Sequence, residues 1–281
     1  MKIAVLCDIH ANLPAFRAVL AHLDAVAPHL VVVGGDIINR GPEPRACLEI
    51  VLDRIAHHGW RYLKGNHEDY VLKAAAGTAA LPEWERKLCA HSAWTAERVR
   101  DWLPEIAAWP DSVECSAPDG SSLAVFHASR KGNRVGLYEF MQDHEIADCV
   151  RPLQPAICVG HTHVPFIREI EGTLVVNAGA VGMPFDGDPR ASYALFEWQP
   201  EGWRVEIVRI PYDRAETEAA YHRTGYWTDA GPMVPLILEE LHVAASRLGW
   251  WHRQYEASVR TGTISVEASV AALLRDGPPR S

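Results

Sequence analysis

The sequence predicts an α/β protein whose sheets are covered by helices on both faces. Two observations carry that reading: continuous apolar runs of strand length recur along the chain, and stretches with helical spacing of apolar residues stand between them. Strands buried on both faces read as unbroken aliphatic runs, and their alternation with amphipathic helices marks layered α/β folds. Ile3 to Cys7 is the first such run, and after a polar turn Phe16, Val19, Leu20, Leu23 and Val26 recur at helical spacing. The pattern returns with Leu30 to Val33, a loop from Gly34 to Pro44, and a helix marked by Cys47, Ile50, Val51 and Ile55. A third strand, Trp60 to Leu63, runs into Gly65-Asn66 and another helical stretch. From Pro82 to Trp109 the chain reads as helix, closed by Pro110. Strands then dominate: Leu123 to Phe126, Ala156 to Val159, Thr173 to Val176, Ser192 to Trp198 and Val205 to Ile210. The chain returns to helix, notably Met233 to Leu248, and ends in a Gly-Pro-Pro tail expected to fray.

With 281 residues, 48% of them hydrophobic and 22% charged, the chain can bury a substantial core in one large domain. Its net charge of -9 lacks the basic excess of a protein that grips a phosphate backbone, so nucleic acid is not the expected partner. No apolar run approaches the roughly 18 residues of a membrane span, and the N-terminus turns polar at Asp8 after too short a stretch for a secretory leader. The expectation is a cytoplasmic protein with no membrane partner. Six scattered cysteines with no Cys-x-x-Cys pair read as reduced, buried thiols. The 14 histidines are the unusual count.

Several of those histidines, with other metal-capable residues, follow one strand after another: Asp8 and His10, then Asp36, then Asn66 and His67, then His127, then His161 and His163. In an open α/β sheet the carboxyl ends of strands share an edge, so these loops converge. An Asp or His after a strand is commonly a turn former or helix cap, but five clusters at successive strand ends exceed that explanation. Imidazole with carboxylate suits manganese, iron, zinc, nickel or cobalt. The Asp-x-His and His-x-His spacings would set alternate side chains on one side of an extended segment.

Asp8-Ile9-His10, Gly35-Asp36 through Gly41-Pro42, Gly65-Asn66-His67-Glu68, His127 and Gly160-His161-Thr162-His163, in this order, resemble the motifs of the calcineurin-like metallophosphoesterases. Asn177 to Gly182 and Asp186 to Arg190 are further similar to a bacterial and archaeal branch of small phosphoesterases in that superfamily. The resemblance implies a four-layer α/β-β/α sandwich of two mixed sheets flanked by helices over residues 1–212. Residues 213–281 form a C-terminal helical extension packed on it, whose open roles are packing, a cap or a homodimer contact.

The resemblance also implies two divalent metal ions, manganese being expected for activity. Asp8, His10, Asp36 and His163 would hold one; Asp36, Asn66, His127 and His161 would hold the other, with Asp36 bridging. A hydroxide between cations about 3.5–4 Å apart is a competent nucleophile at neutral pH, and would attack a phosphate ester in line. His67 would protonate the leaving alkoxide, with Glu68 as a carboxylate partner that favours the imidazolium; an alternative for His67 is pure positioning of the phosphate. Arg40 and Asn66 are the expected substrate contacts, since a guanidinium fork clamps two phosphate oxygens, although a solvated loop arginine is the bland alternative. Ala11 and Ala128 stand where the family commonly has glycine, and alanine resists positive φ.

The expected activity is hydrolysis of a small phosphorylated substrate or nucleotide. Narrower readings are a dinucleoside polyphosphate hydrolase or a phosphoprotein phosphatase. A non-catalytic metal- or nucleotide-binding protein is the reading from another class, and the complete ligand set with His67 speaks against it.

Overall fold

The aliphatic runs assemble two five-stranded sheets in the computed structural model, which describes residues 1–277. The prolines of the tail, Pro278 and Pro279, lie outside the described residues. In chain order the first half comprises β1 (Lys2–Leu6), α1 (Leu13–Val26), β2 (Leu30–Val33), α2 (Pro44–His58), β3 (Arg61–Tyr62) and α3 (Asn66–Ala75). Three short helices follow, α4 (Glu83–Leu88), α5 (Ala90–Arg98) and α6 (Leu103–Ala107). The second sheet is built from β4 (Ser112–Ser116), β5 (Ser122–Phe126), β6 (Ala156–Val159), β7 (Phe166–Ile170) and β8 (Thr173–Asn177), with α7 (Asp143–Val150) inserted. The hairpin β9 (Ala191–Gln199) and β10 (Gly202–Ile210) returns to the first sheet, and five helices close the chain: α8 (Arg214–Arg223), α9 (Tyr226–Asp229), α10 (Val234–Val243), α11 (Leu248–Arg260) and α12 (Val266–Asp276).

The strand orders are β10-β9-β1-β2-β3 and β4-β5-β6-β8-β7. Both sheets are mixed: β1 is parallel to β2 but antiparallel to β9, and β5, β6 and β8 run parallel between antiparallel edges β4 and β7. Alternation along each strand makes the layers. Ile3, Val5 and Val32 of one sheet meet Leu123, Val125, Cys158 and Val176 of the other in a shared core. Their neighbours point outward, Ala4, Leu6, Val31 and Val33 into a core with Phe16, Val19 and Val51 of α1 and α2, and Ile157, Val159 and Val175 into one with Ile146 and Val150 of α7. The result is the four-layer α/β-β/α sandwich with a C-terminal helical extension.

Three expectations change. The stretch from Pro82 to Trp109 is three helices and a turn, because Pro104 has no N–H to continue a ladder and α6 starts afresh around it. The helix expected over Met233 to Leu248 ends at Val243: Ala244 adopts the left-handed conformation, φ 49 and ψ 45, and its carbonyl accepts the Gly187 N–H at 2.9 Å. Strands β4 and β7 and helix α7 were not anticipated, since the edge strands carry Glu114, Arg168 and Glu169 on exposed or half-buried faces and lack an unbroken apolar run.

The extension has its own apolar cluster, in which Tyr226, Val234, Ile237, Leu241 and Trp251 pack together with Trp94 and Met183 from the preceding part of the chain. Thr217 donates to Asn12 Oδ1 at 2.9 Å, the side chain that caps α1. Among the described residues no helix is long and apolar enough to cross a membrane. Trp251 is fully buried and donates from Nε1 to Ser269 Oγ at 2.8 Å. Trp251→Ala is expected to cost about 3–5 kcal/mol. Urea unfolding followed by circular dichroism should show a lowered midpoint in one transition, since the cluster bridges both parts of the chain; a separate early step would show the extension melting alone.

Candidate metal centre

The loops leaving β1, β2, β5 and β6 and the start of α3 meet at one edge of the paired sheets, bringing all seven expected ligands together. Asp8, His10, Asp36, Asn66, His127 and His163 are buried and His161 is nearly so. Each aspartate is half satisfied. Asp8 Oδ2 accepts the His161 N–H at 2.9 Å and Asp36 Oδ1 accepts the His67 N–H at 2.8 Å. Asp8 Oδ1 and Asp36 Oδ2 are buried with no hydrogen-bond partner. Orphaned carboxylate oxygens in an apolar interior are costly unless a cation meets them.

The imidazoles are aimed at those oxygens by the backbone. His10 Nδ1 donates to Asn39 O at 3.3 Å, His127 Nδ1 to Gly34 O at 2.9 Å and His163 Nδ1 to Met183 O. Carbonyl acceptors at Nδ1 leave the Nε2 lone pairs facing inward. His10 Nε2 and His163 Nε2 stand 3.1 Å apart, with Asp8 Oδ1 3.4 Å from His163 Nε2 and Asp36 Oδ2 3.7 Å from His10 Nε2. The four donor atoms lie within 4.8 Å of one another. A second group adjoins it: Asp36 Oδ2 is 3.3 Å from His127 Nε2, and Asn66 Oδ1 is 2.8 Å from both His127 Nε2 and His161 Nδ1. Lone pairs pointed at one another and at orphaned carboxylate oxygens fit divalent cations of the borderline class, with Asp36 Oδ2 common to both groups.

Titration expresses the same demand for positive charge. Burial opposes ionisation of Asp36, yet His127 and His67 hold it well below the usual carboxylate range. Burial likewise works against a charged His127, but the Asp36 and Asp8 carboxylates and the Gly34 carbonyl raise it to about 10. Burial and the facing His163 push His10 down to about 3, and burial with the charge of His127 brings His161 to about 4.

The expected strand alternation of Asp-x-His and His-x-His is not how the side chains converge. Asp8, His10, His161 and His163 all have positive φ, between 47 and 68, so left-handed turns, not an extended segment, aim them. Among the described residues, eight of the 11 with positive φ other than glycine lie in these loops, including Asp36, Asn39, Arg40 and Ala11 at φ 51. Ala11 therefore keeps the conformation a glycine would take, at a steric cost of about 1–2 kcal/mol. Gly35 is different: at φ 90 a Cβ would stand 2.6 Å from Gly65 N.

Glu68 does not partner His67. It is buried, and its two oxygens accept the N–H groups of Asp36, Ile37 and Gly65 at 2.8 Å and of Ile38 at 3.3 Å. Both oxygens are used, so the carboxylate ties the Asp36 loop to the start of α3. Burial and Asp36 raise it to about 7. The neighbour of His67 is Asn39. Asn39 Oδ1 accepts the Arg40 N–H at 3.0 Å, which leaves Nδ2 to donate to His67 Nδ1 and to Ser92 Oγ, both at 3.0 Å. The proton of a neutral His67 then sits on Nε2. Burial holds His67 well below its usual range, which removes the expected support for an imidazolium. Sequence reasoning also gave no role to Asn177, whose Nδ2 donates to Gly160 O at 2.9 Å and Thr162 Oγ1 at 2.8 Å and so braces the His161–His163 loop.

Asp36, Asn66, His67, His161 and His163 open on a cavity of about 1190 Å³ that reaches Trp84 and, on α11, Leu248 and Arg253. Arg40 lines it too and is not a solvated loop arginine: its side chain is 16% exposed and NH1 lies 3.8 Å from Glu240 Oε2.

Residues 1–201 match the model of the calcineurin-like phosphoesterase superfamily domain. The chain belongs to that superfamily. The chain is 30% identical over 227 residues to an uncharacterized protein of Methanocaldococcus jannaschii, MJ0912, covering 75% of this chain and 88% of the relative. A metallophosphoesterase crystal structure from Sphaerobacter thermophilus is 29% identical with a TM-score of 0.66, covering 87% of this chain and 100% of its own. The hypothetical protein PH1004 of Pyrococcus horikoshii, at 16% identity, shares the fold, with a TM-score of 0.73 over 87% of this chain and 99% of its own.

The Glu68 clamp is testable apart from catalysis. Glu68→Gln turns an acceptor oxygen into an N–H that faces backbone donors, and is expected to destabilise the protein by about 2–3 kcal/mol. Thermal unfolding should record the loss and elemental analysis a lowered metal content; wild-type stability in this variant contradicts the clamp.

Proposed function

We propose that the protein hydrolyses phosphate esters at a dinuclear metal centre. Asp8, His10, Asp36 and His163 would hold one ion, and Asp36, Asn66, His127 and His161 the other. The observation that carries this reading is the pair of buried, partnerless oxygens, Asp8 Oδ1 and Asp36 Oδ2, faced by imidazole lone pairs. When bound, two divalent cations supply Lewis acidity and an activated water at neutral pH. Manganese is the metal we expect to support turnover.

The chain's own residues do the rest. Asn39 holds His67 so that Nε2–H can be offered to the leaving oxygen, making His67 a neutral hydrogen-bond donor where burial disfavours the imidazolium. Arg40 presents a guanidinium to the phosphate oxygens, and Asn66, at the cavity wall, is the second polar contact. Glu68 acts through structure, by holding the Asp36 loop.

A dinucleoside polyphosphate is the second reading, favoured by the cavity. About 1190 Å³ exceeds what a simple monoester fills, and Arg253, which also lines the cavity, suits a second phosphate. A panel of p-nitrophenyl phosphate, bis-p-nitrophenyl phosphate and a dinucleoside polyphosphate with manganese-loaded protein separates the readings. Inactivity on all three overturns hydrolysis.

Asp36→Ala removes the oxygen common to both groups, so hydrolysis should disappear and metal content, measured by elemental analysis, should fall from two ions per chain; an active, fully loaded variant excludes a shared carboxylate. His67→Ala should keep its metals but turn over about 10²–10⁴ times more slowly, with the largest loss for poor leaving groups. A uniform loss across leaving groups would assign His67 to phosphate positioning alone.

A further inference from the structure

We infer that Glu240, outside the matched domain, is the positioning residue for Arg40; the inference rests on the proposed phosphoesterase reading and adds the helical extension to the substrate site. Glu240 is fully buried on α10, where a carboxylate is costly unless its charge is met. Its two oxygens have different tasks. Oε1 accepts the N–H groups of Arg247 at 2.7 Å and Leu248 at 2.8 Å, and so caps the start of α11. Oε2 has no hydrogen-bond partner. Among the described residues, Arg40 is the one basic side chain within ion-pair distance of Glu240, with NH1 3.8 Å from Oε2.

That separation is too long for a hydrogen bond, and Arg40 Nε is also unpartnered. The attraction therefore draws the guanidinium toward α10 while leaving most of its N–H donors unused. Arg40 lines the cavity beside Asp36, Asn66 and His67, so those donors are available to a phosphate there. Tyr226, packed nearby with its hydroxyl unpartnered, feels the charges of both groups. Arg40 itself sits at φ 62 on a loop whose backbone is held by Glu68. Its base is thus fixed by the catalytic domain and its tip by the extension.

Glu240→Gln tests this with manganese-loaded full-length protein and p-nitrophenyl phosphate. The amide oxygen can still cap α11, while the charge facing Arg40 is gone. KM should rise about tenfold with kcat changed less than about twofold, and Arg40→Ala in the same background should add little, because both substitutions remove one function. Guanidinium added to Arg40→Ala should recover activity where Glu240 is present and fail in the double variant. An unchanged KM, or effects that multiply, overturns the inference. Should Glu240→Gln not fold, Arg40→Ala answers alone: it strands a buried carboxylate and should lower the melting temperature by more than about 5 °C, and an unaltered melting temperature rejects the pairing. A wild-type protein inactive on every ester refutes the phosphoesterase reading instead, and leaves the stability result to judge the pair.

Discussion

Two aspartates buried at the meeting edge of two sheets, each with one oxygen anchored and the other left bare, are the constraint around which the rest is arranged. The anchors are backbone N–H groups of His161 and His67, so each carboxylate is oriented by a segment that itself carries a ligand or a donor. Around them the carbonyls of Asn39, Gly34 and Met183 turn three imidazoles to face the bare oxygens. An interior that concentrates negative charge and lone pairs in this way is suited to cations. Metal binding there would be coupled to the fold through electrostatics as well as through packing.

The second device is the use of fully buried glutamates as clamps. Glu68 holds the loop that carries Asp36, and Glu240 holds the turn between α10 and α11. Both accept backbone N–H groups, Glu68 on both oxygens and Glu240 on Oε1, which offsets part of the cost of a carboxylate in a core. Glu68 thereby fixes the backbone that carries Asp36, and Glu240 the start of α11.

Much of this was legible in the sequence, for reasons that differ by element. β1, β2 and β6 read as strands because burial on both faces demands unbroken aliphatic runs, whereas β7 alternates with Arg168 and Glu169 at a sheet edge and looks like loop. The seven metal-capable residues could be picked out because each cluster follows a strand, and the fold brings them together. Their manner of convergence was not readable, since left-handed φ at Asp8, His10, His161 and His163 leaves no compositional trace when the residue is not glycine. The role of Glu68 did carry a signal: a glutamate three residues after Gly65 at a helix start is the capping-box spacing, and its N–H acceptor role follows. The Asn39–His67 contact joins residues 28 apart and Arg40–Glu240 joins residues from opposite ends of the chain, so only the folded backbone reveals them.

The left-handed residues around the centre also bear on folding. Unfolded chains seldom visit those conformations at side-chain-bearing residues, and here they persist because hydrogen bonds such as His10 N–H to Asp36 O and Ala11 N–H to Ile37 O tie one loop to the next. Those ties join the loops after β1 and β2, so they exist only once these two parallel strands have paired. The loops can then order only with that pairing or after it. A cation held there would bind the ordered loops and not the unfolded chain, so it would raise the stability of the native protein by an amount that grows with its concentration.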